Sequence, residues 1–145
     1  VQFPWYVTAI GAALVWGIHY PLVDHALKKL SVFSVLLLTA VPAVLIAPFF
    51  YRALSADYAV WKTLETSSKA TILALALTSL GGSVLLFLSI SGKNATLASL
   101  IEISYPFFVA VFAFLLFREV QFNPSVIVGG MLIFAGVATI IWNNP

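Results

Sequence analysis

The sequence predicts an all-α integral membrane protein with five transmembrane helices, and three observations carry that prediction. The first is composition: of 145 residues, 62% are hydrophobic and 8% charged, with a mean hydropathy of +1.08. A soluble domain carries about 25% charged residues, so these charges could not cover a water-facing surface. The second is that the apolar residues gather into five runs, each close to the roughly 20 residues that span a bilayer. The third is the pattern inside the runs. A transmembrane β-barrel needs ten-residue strands of alternating polarity, and none occur.

The first run extends from about Trp5 to Val23 and the second from about Val32 to Tyr51. The third covers about Ala70 to Ile90, the fourth Ala95 to Phe117 and the fifth Ser125 to Trp142. Trp5, Tyr6, Tyr20, Tyr51 and Trp142 stand near run ends, where interfacial aromatic belts form. Between the runs, Asp24 to Ser31 carries Asp24, His25, Lys28 and Lys29. Arg52 to Lys69 is the longest connection, and its Tyr58 and Trp61 suggest a segment lying along the interface. Ser91 to Asn94 reads as a tight hairpin turn, and Arg118 to Pro124 forms the last connection. Asn94-Ala95-Thr96 matches a glycosylation sequon, but its place against a membrane segment argues against use. No basic stretch precedes the first run and no small-residue cleavage site follows it, so a signal peptide is not expected.

Several function classes fall away. Cysteine is absent, which removes disulfide, thiolate and thiolate–metal chemistry. The net charge of +2 arises from basic residues spread singly, apart from Lys28-Lys29, so nucleic acid is not an expected partner. His19, Asp24 and His25 form the one cluster resembling metal ligands. The two histidines are six apart, on opposite faces of a helix, and lack the spacing a metal needs. No metal and no cofactor are expected.

Glu102 is the residue that most invites a function. It is the one charged residue between Ala95 and Phe117. An acid at the centre of a membrane helix costs about 2.5 to 3.5 kcal/mol, and a chain that carries such a cost usually uses the group. Helical spacing puts Ala95, Ala98, Ser99, Glu102, Tyr105, Pro106 and Val109 on one face, with Leu97, Ile101, Phe108 and Phe112 opposite. Pro106 cannot bond the carbonyl of Glu102, so a kink is expected beside the acid. In the third run Ser79, Gly82, Ser83, Leu86 and Ser89 share a face, suited either to helix packing or to lining a cavity. In the first run Trp16, His19 and Tyr20 share a face that could wall a pocket, although an interfacial cluster accounts for Tyr20 as well. The expected substrate-binding set is therefore Glu102, Tyr105, Ser99, Trp16, His19, Tyr20 and Ser83. Gly129 and Gly136, seven apart, read as a close-packing seam, with Gly130 adjacent.

Orientation is less decided. Lys and Arg bias normally sets it, but Arg52, Lys62, Lys69 and Arg118 lie on the amino-terminal side against Lys28, Lys29 and Lys93 on the other, four against three. Two readings stay open: a single orientation with a cytoplasmic amino terminus, or dual topology in which copies insert both ways and pair antiparallel.

Trp16-Gly17 near the end of the first run resembles the aromatic-glycine signature of EamA-like transporters, within the drug/metabolite transporter superfamily. The resemblance continues through Ala98-Ser99-Leu100, Pro106, Arg118-Glu119, Gly129-Gly130 and Gly136-Val137. In that family a short turn leads to a small-residue helix with a central proline, a terminal glutamate and a glycine-rich last helix. The resemblance covers residues 1–145 as a single five-helix domain, one half of a ten-helix transporter fold.

It implies a small-molecule transporter of the metabolite or drug-like class, an exporter rather than an enzyme, working by alternating access. One repeat needs a partner, and a homodimer with a second copy inserted the other way up would supply it. Inverted repeats of this kind hold their site near the midplane. The implied setting is a multi-pass protein of the cell membrane, a prokaryotic inner membrane, whose partners are the lipid bilayer and a small-molecule substrate. Two departures stand out: Leu36 to Val44 lacks the arginine many members carry, and Glu102 belongs to no general family pattern. Membrane physics alone makes Glu102 a group that exchanges a proton for a cationic or zwitterionic substrate. The alternative is a non-transporting membrane subunit in which Glu102 fixes helix packing.

Overall fold

The computed structural model describes residues 4–144, and among them no strand occurs. Seven α-helices follow in order: α1 (Trp5–Leu27), α2 (Val32–Ile46), α3 (Tyr51–Thr63), α4 (Thr66–Gly92), α5 (Ala95–Glu102), α6 (Tyr105–Phe117) and α7 (Pro124–Asn143). They make five stretches long and apolar enough to cross a membrane: Trp5–Leu27, Val32–Thr63, Thr66–Gly92, Ala95–Phe117 and Pro124–Asn143. The expected all-α membrane architecture is thus the observed one. Apolar side chains point outward along most of the chain, with Phe49 87% and Trp142 86% exposed. Such a surface is stable only where the surrounding medium is itself apolar.

Local chemistry explains the boundaries. Three helices begin on a side-chain cap: the Ser31 hydroxyl accepts from the Ser34 amide at 3.3 Å, Asn94 Oδ1 from Leu97 at 2.9 Å, and Asn123 Oδ1 from Val126 at 2.9 Å. The asparagine of the sequon therefore starts a helix. At the end of α6, Arg118 takes the left-handed conformation at φ 60°. Its amide bonds the Phe114 carbonyl at 3.0 Å while the Glu119 amide reaches that of Ala113 at 3.2 Å. Glu119, exposed, accepts from the Gln121 amide at 3.2 Å.

The second apolar run behaves differently from a simple span. Pro48 cannot donate to the preceding turn, and Ala47–Phe50 tightens into a 3-10 turn. The chain then continues as α3, so the segment that holds Tyr58 and Trp61 is helical. Lys62 lies 4.5 Å from the centre of the Tyr58 ring and Lys69 6.0 Å from that of Trp61. Aromatic bodies on α3, with cationic tips from α3 and from the first turn of α4, suit a membrane–water boundary.

The chain forms two compact units, one of residues 4–22 with 92–144 and one of residues 23–91. In the second, Val35, Phe87 and Ile90 are buried. The small-residue face expected on α4 stays largely open, with Ser79 and Ser89 exposed and Ser83 half-buried. In the first unit α7 lies against both α5 and α6. Phe134 of α7 meets Phe107 edge-on at 5.0 Å and Phe108 at 5.9 Å, and Phe122 adds a ring 6.1 Å from Phe107.

Gly130 makes that approach possible, because a Cβ there would stand 3.2 Å from Cδ2 of Phe107. At Gly129 and Gly136 a Cβ would meet nothing within 4 Å. Within the chain the close approach is therefore at Gly130 and not along the expected Gly129/Gly136 seam. Phe107 is hemmed by three other rings, so it cannot swing away to admit a larger residue. Overpacking of this kind costs about 1 to 3 kcal/mol. Gly130→Leu is expected to lower the melting temperature of the detergent-solubilised protein by several degrees, and Gly129→Leu to lower it much less. Equal melting of the two variants would contradict this packing.

Candidate functional site

The site begins with how α5 ends. Ala95 and Ala98 are buried, and their small side chains let α5 lie close to α7. Ser99 is half-buried and its hydroxyl donates to the Thr96 carbonyl at 3.0 Å, so that proton is used within its own helix. Glu102 is the last residue of α5. Ile103 still bonds the Ser99 carbonyl at 3.0 Å, but the Ser104 amide turns to Ile101 at 3.2 Å, and the Ser104 hydroxyl to the same carbonyl at 2.9 Å. A new helix starts at Tyr105 with Pro106 in its first turn, where a missing amide costs nothing. The expected kink is thus a full break, and it puts Glu102 at a helix end.

The break also shifts the helical phase. The inward face predicted from Ala95 holds through Glu102 and then ends. In α6 it is Ala110 that is buried, while Tyr105 is 58% and Val109 51% exposed.

Across from Glu102 stands α1. The Tyr20 hydroxyl donates to Oε2 of Glu102 at 2.6 Å, at the short end of the 2.5–3.0 Å range of O–H···O bonds. Both side chains are half-buried. Trp16 packs on Tyr20 with ring centres 5.6 Å apart, and His19 meets Trp16 edge-on at 5.0 Å and Tyr20 at 6.1 Å. Trp16, His19, Tyr20 and Glu102 are therefore one cluster joining α1 to α5. The ring of Tyr20, which its sequence position also suits to an interfacial belt, has its hydroxyl on Glu102.

Pro21, directly after Tyr20 and inside α1, has no amide to give the Gly17 carbonyl. Tyr20 thus precedes a missing backbone bond within the continuous α1, and Glu102 precedes the end of α5. Tyr20 stands seven residues before Leu27, and Glu102 seven residues after Ala95. At 1.5 Å per residue each lies about 10 Å in from its helix end and about 6 Å from the middle of its span.

Of the other expected residues, Ser83 belongs to α4 in the second unit, and Ser99 and Tyr105 flank Glu102 along the chain. Among the described residues, Tyr20 is the one side chain hydrogen-bonded to Glu102, and no ion pair neutralises it. An ion pair of Lys28 with Asp24 at 3.7 Å belongs to the second unit. The carboxylate keeps acceptor capacity beside aromatic faces that attract cations.

The model of the EamA-like transporter family matches residues 3–142. This chain belongs to the EamA-like transporter family. No curated protein and no solved structure matches it. As an EamA-like transporter it is a multi-pass membrane protein that moves small molecules, and its five apolar spans are consistent with one half of a ten-helix fold. The feature of this EamA-like transporter that sequence reading missed is the pairing of Tyr20 with Glu102.

Proposed function

We propose that this EamA-like transporter exports a cationic or zwitterionic small molecule, with Glu102 exchanging a proton for the substrate. The observation that carries the reading is Glu102 itself, an acid inside an apolar span with a phenolic hydroxyl and no cationic side chain bonded to it among the described residues. Trp16, His19 and Tyr20 form the aromatic wall of the site, and Ser99 and Tyr105 bound it along the chain. Ser83 is carried by no such contact.

The transport unit is an antiparallel homodimer in a prokaryotic inner membrane. An odd number of spans inverts a copy that enters from the other side, and the near balance of Lys and Arg permits both insertions. The test is uptake of a radiolabelled organic amine into proteoliposomes under an imposed pH gradient. Gradient-driven accumulation that requires Glu102 supports the reading, and accumulation indifferent to the gradient overturns the coupling.

A second reading is favoured by the Tyr20–Glu102 bond, which ties α1 to α5 and would do so as a packing group alone. In that case loss of Glu102 lowers stability and leaves flux unchanged.

A further inference from the structure

We propose that Tyr20 is the resting occupant of the Glu102 carboxylate and competes with the substrate for it, so that a cation gains the acid by displacing the Tyr20 hydroxyl and thereby unties α1 from α5. The inference rests on the reading of Glu102 as the cation-binding group. It adds a specificity-determining residue and a consequence of binding.

Three observations carry it. The hydroxyl sits on Oε2 at 2.6 Å, linking residues 82 apart in sequence, and among the described residues no other side chain holds that carboxylate. The Tyr20 ring is held by Trp16 and His19 at 5.6 and 6.1 Å, so the hydroxyl is aimed by ring packing, and its withdrawal moves the α1 face with it. Finally, the tie joins two helices where each lacks backbone hydrogen bonds, at Pro21 inside the continuous α1 and at Ile103-Ser104 after α5. Segments that have lost helical hydrogen bonds bend more easily than fully bonded helix. Displacement of one hydroxyl therefore releases the contact that fixes two bendable segments together.

Selectivity follows from the same exchange. A neutral ligand offers the carboxylate a bond no better than the phenol it must displace. An ammonium offers a charge-assisted one and also meets the exposed ring of Trp16 beside it. The tyrosine thus sets a threshold that favours cations over neutral molecules of the same shape.

The experiment is calorimetric titration of the full chain in lipid nanodiscs with phenethylammonium chloride. Glu102→Gln is expected to bind more weakly than the unaltered protein. Tyr20→Phe, which removes only the competing hydroxyl, is expected to bind roughly ten- to a hundredfold more tightly, the weight of a hydrogen bond to a charged group. Equal or weaker binding by Tyr20→Phe, with Glu102→Gln still weakened, overturns the competition and leaves the Glu102 reading standing. Unchanged binding by Glu102→Gln overturns both. Should Tyr20→Phe not be recovered folded, 3-fluorotyrosine placed at position 20 keeps the hydroxyl. Its fluorine resonance is expected to move on addition of phenethylammonium, and to stay still in the Glu102→Gln background. A resonance that stays still in the unaltered background overturns the proposal.

Discussion

Glu102→Gln is expected to lower pH-gradient-driven transport of an organic amine by about a hundredfold while leaving the protein folded. Glutamine matches glutamate in shape, and its amide carbonyl still accepts the Tyr20 hydroxyl, which now meets Oε2 at 2.6 Å. What disappears is the charge and the exchangeable proton. A hydrogen bond to a charged partner contributes about 1.5 to 3 kcal/mol against 0.5 to 1.5 for a neutral one, and each 1.4 kcal/mol is tenfold in binding. Loss of the charge therefore weakens cation capture, and loss of the proton removes the driving reaction altogether.

Because the tie between α1 and α5 survives as a neutral bond, the melting temperature in detergent should fall by no more than a few degrees. Transport by Glu102→Gln with an unchanged pH profile would remove the acid from the coupling role. A large drop in melting temperature with normal flux would make it a packing group.

What the sequence made legible, and what it did not, follows from the range of the interactions involved. Apolar runs are local, so the five spans could be read directly; their ends shifted only where a helix continued past its apolar residues, as α1 does through Asp24 and His25 and the second span does through α3. Glu102 stood out because a charge in an apolar run is conspicuous whatever surrounds it.

The partner of Glu102 was not legible in the same way. Tyr20 lies 82 residues away, and no periodicity links positions on separate helices. The face expected for Tyr105 and Val109 went astray for a different reason. It assumed one continuous helix, whereas the two-residue break at Ile103-Ser104 resets the phase. Gly129, Gly130 and Gly136 show a third limit. Spacing identifies which glycines share a face, but whether a neighbour approaches depends on a ring such as Phe107, carried by another helix.

The antiparallel arrangement makes the sharpest prediction, because it turns on the sign of a small charge difference. Lys and Arg in short loops set orientation, and this chain has four on the amino-terminal side against three on the other. Lys28→Gln, Lys29→Gln and Lys93→Gln together leave basic residues only on the amino-terminal side, and that variant is expected to insert uniformly with its amino terminus in the cytoplasm. Arg52→Gln, Lys62→Gln, Lys69→Gln and Arg118→Asn together leave them only on the other side and are expected to give the reverse. Asparagine is chosen at Arg118 because its left-handed backbone, φ 60°, tolerates that residue well.

At Lys28 the local cost is small: its pair with Asp24 is exposed on the lysine side, where ion pairs contribute about 0 to 1 kcal/mol. Melting of each variant in detergent checks that it is folded, and the change is expected to act through orientation. Each variant expressed alone is expected to lose transport, and the two expressed together to regain it, since only the mixture contains copies of both orientations. Accessibility of tags at the two termini in intact cells reports orientation, and amine uptake reports function. Full activity of either variant alone, once its tags prove uniformly oriented, would rule out an antiparallel pair and assign the complementary half of the transport path to something other than an inverted copy.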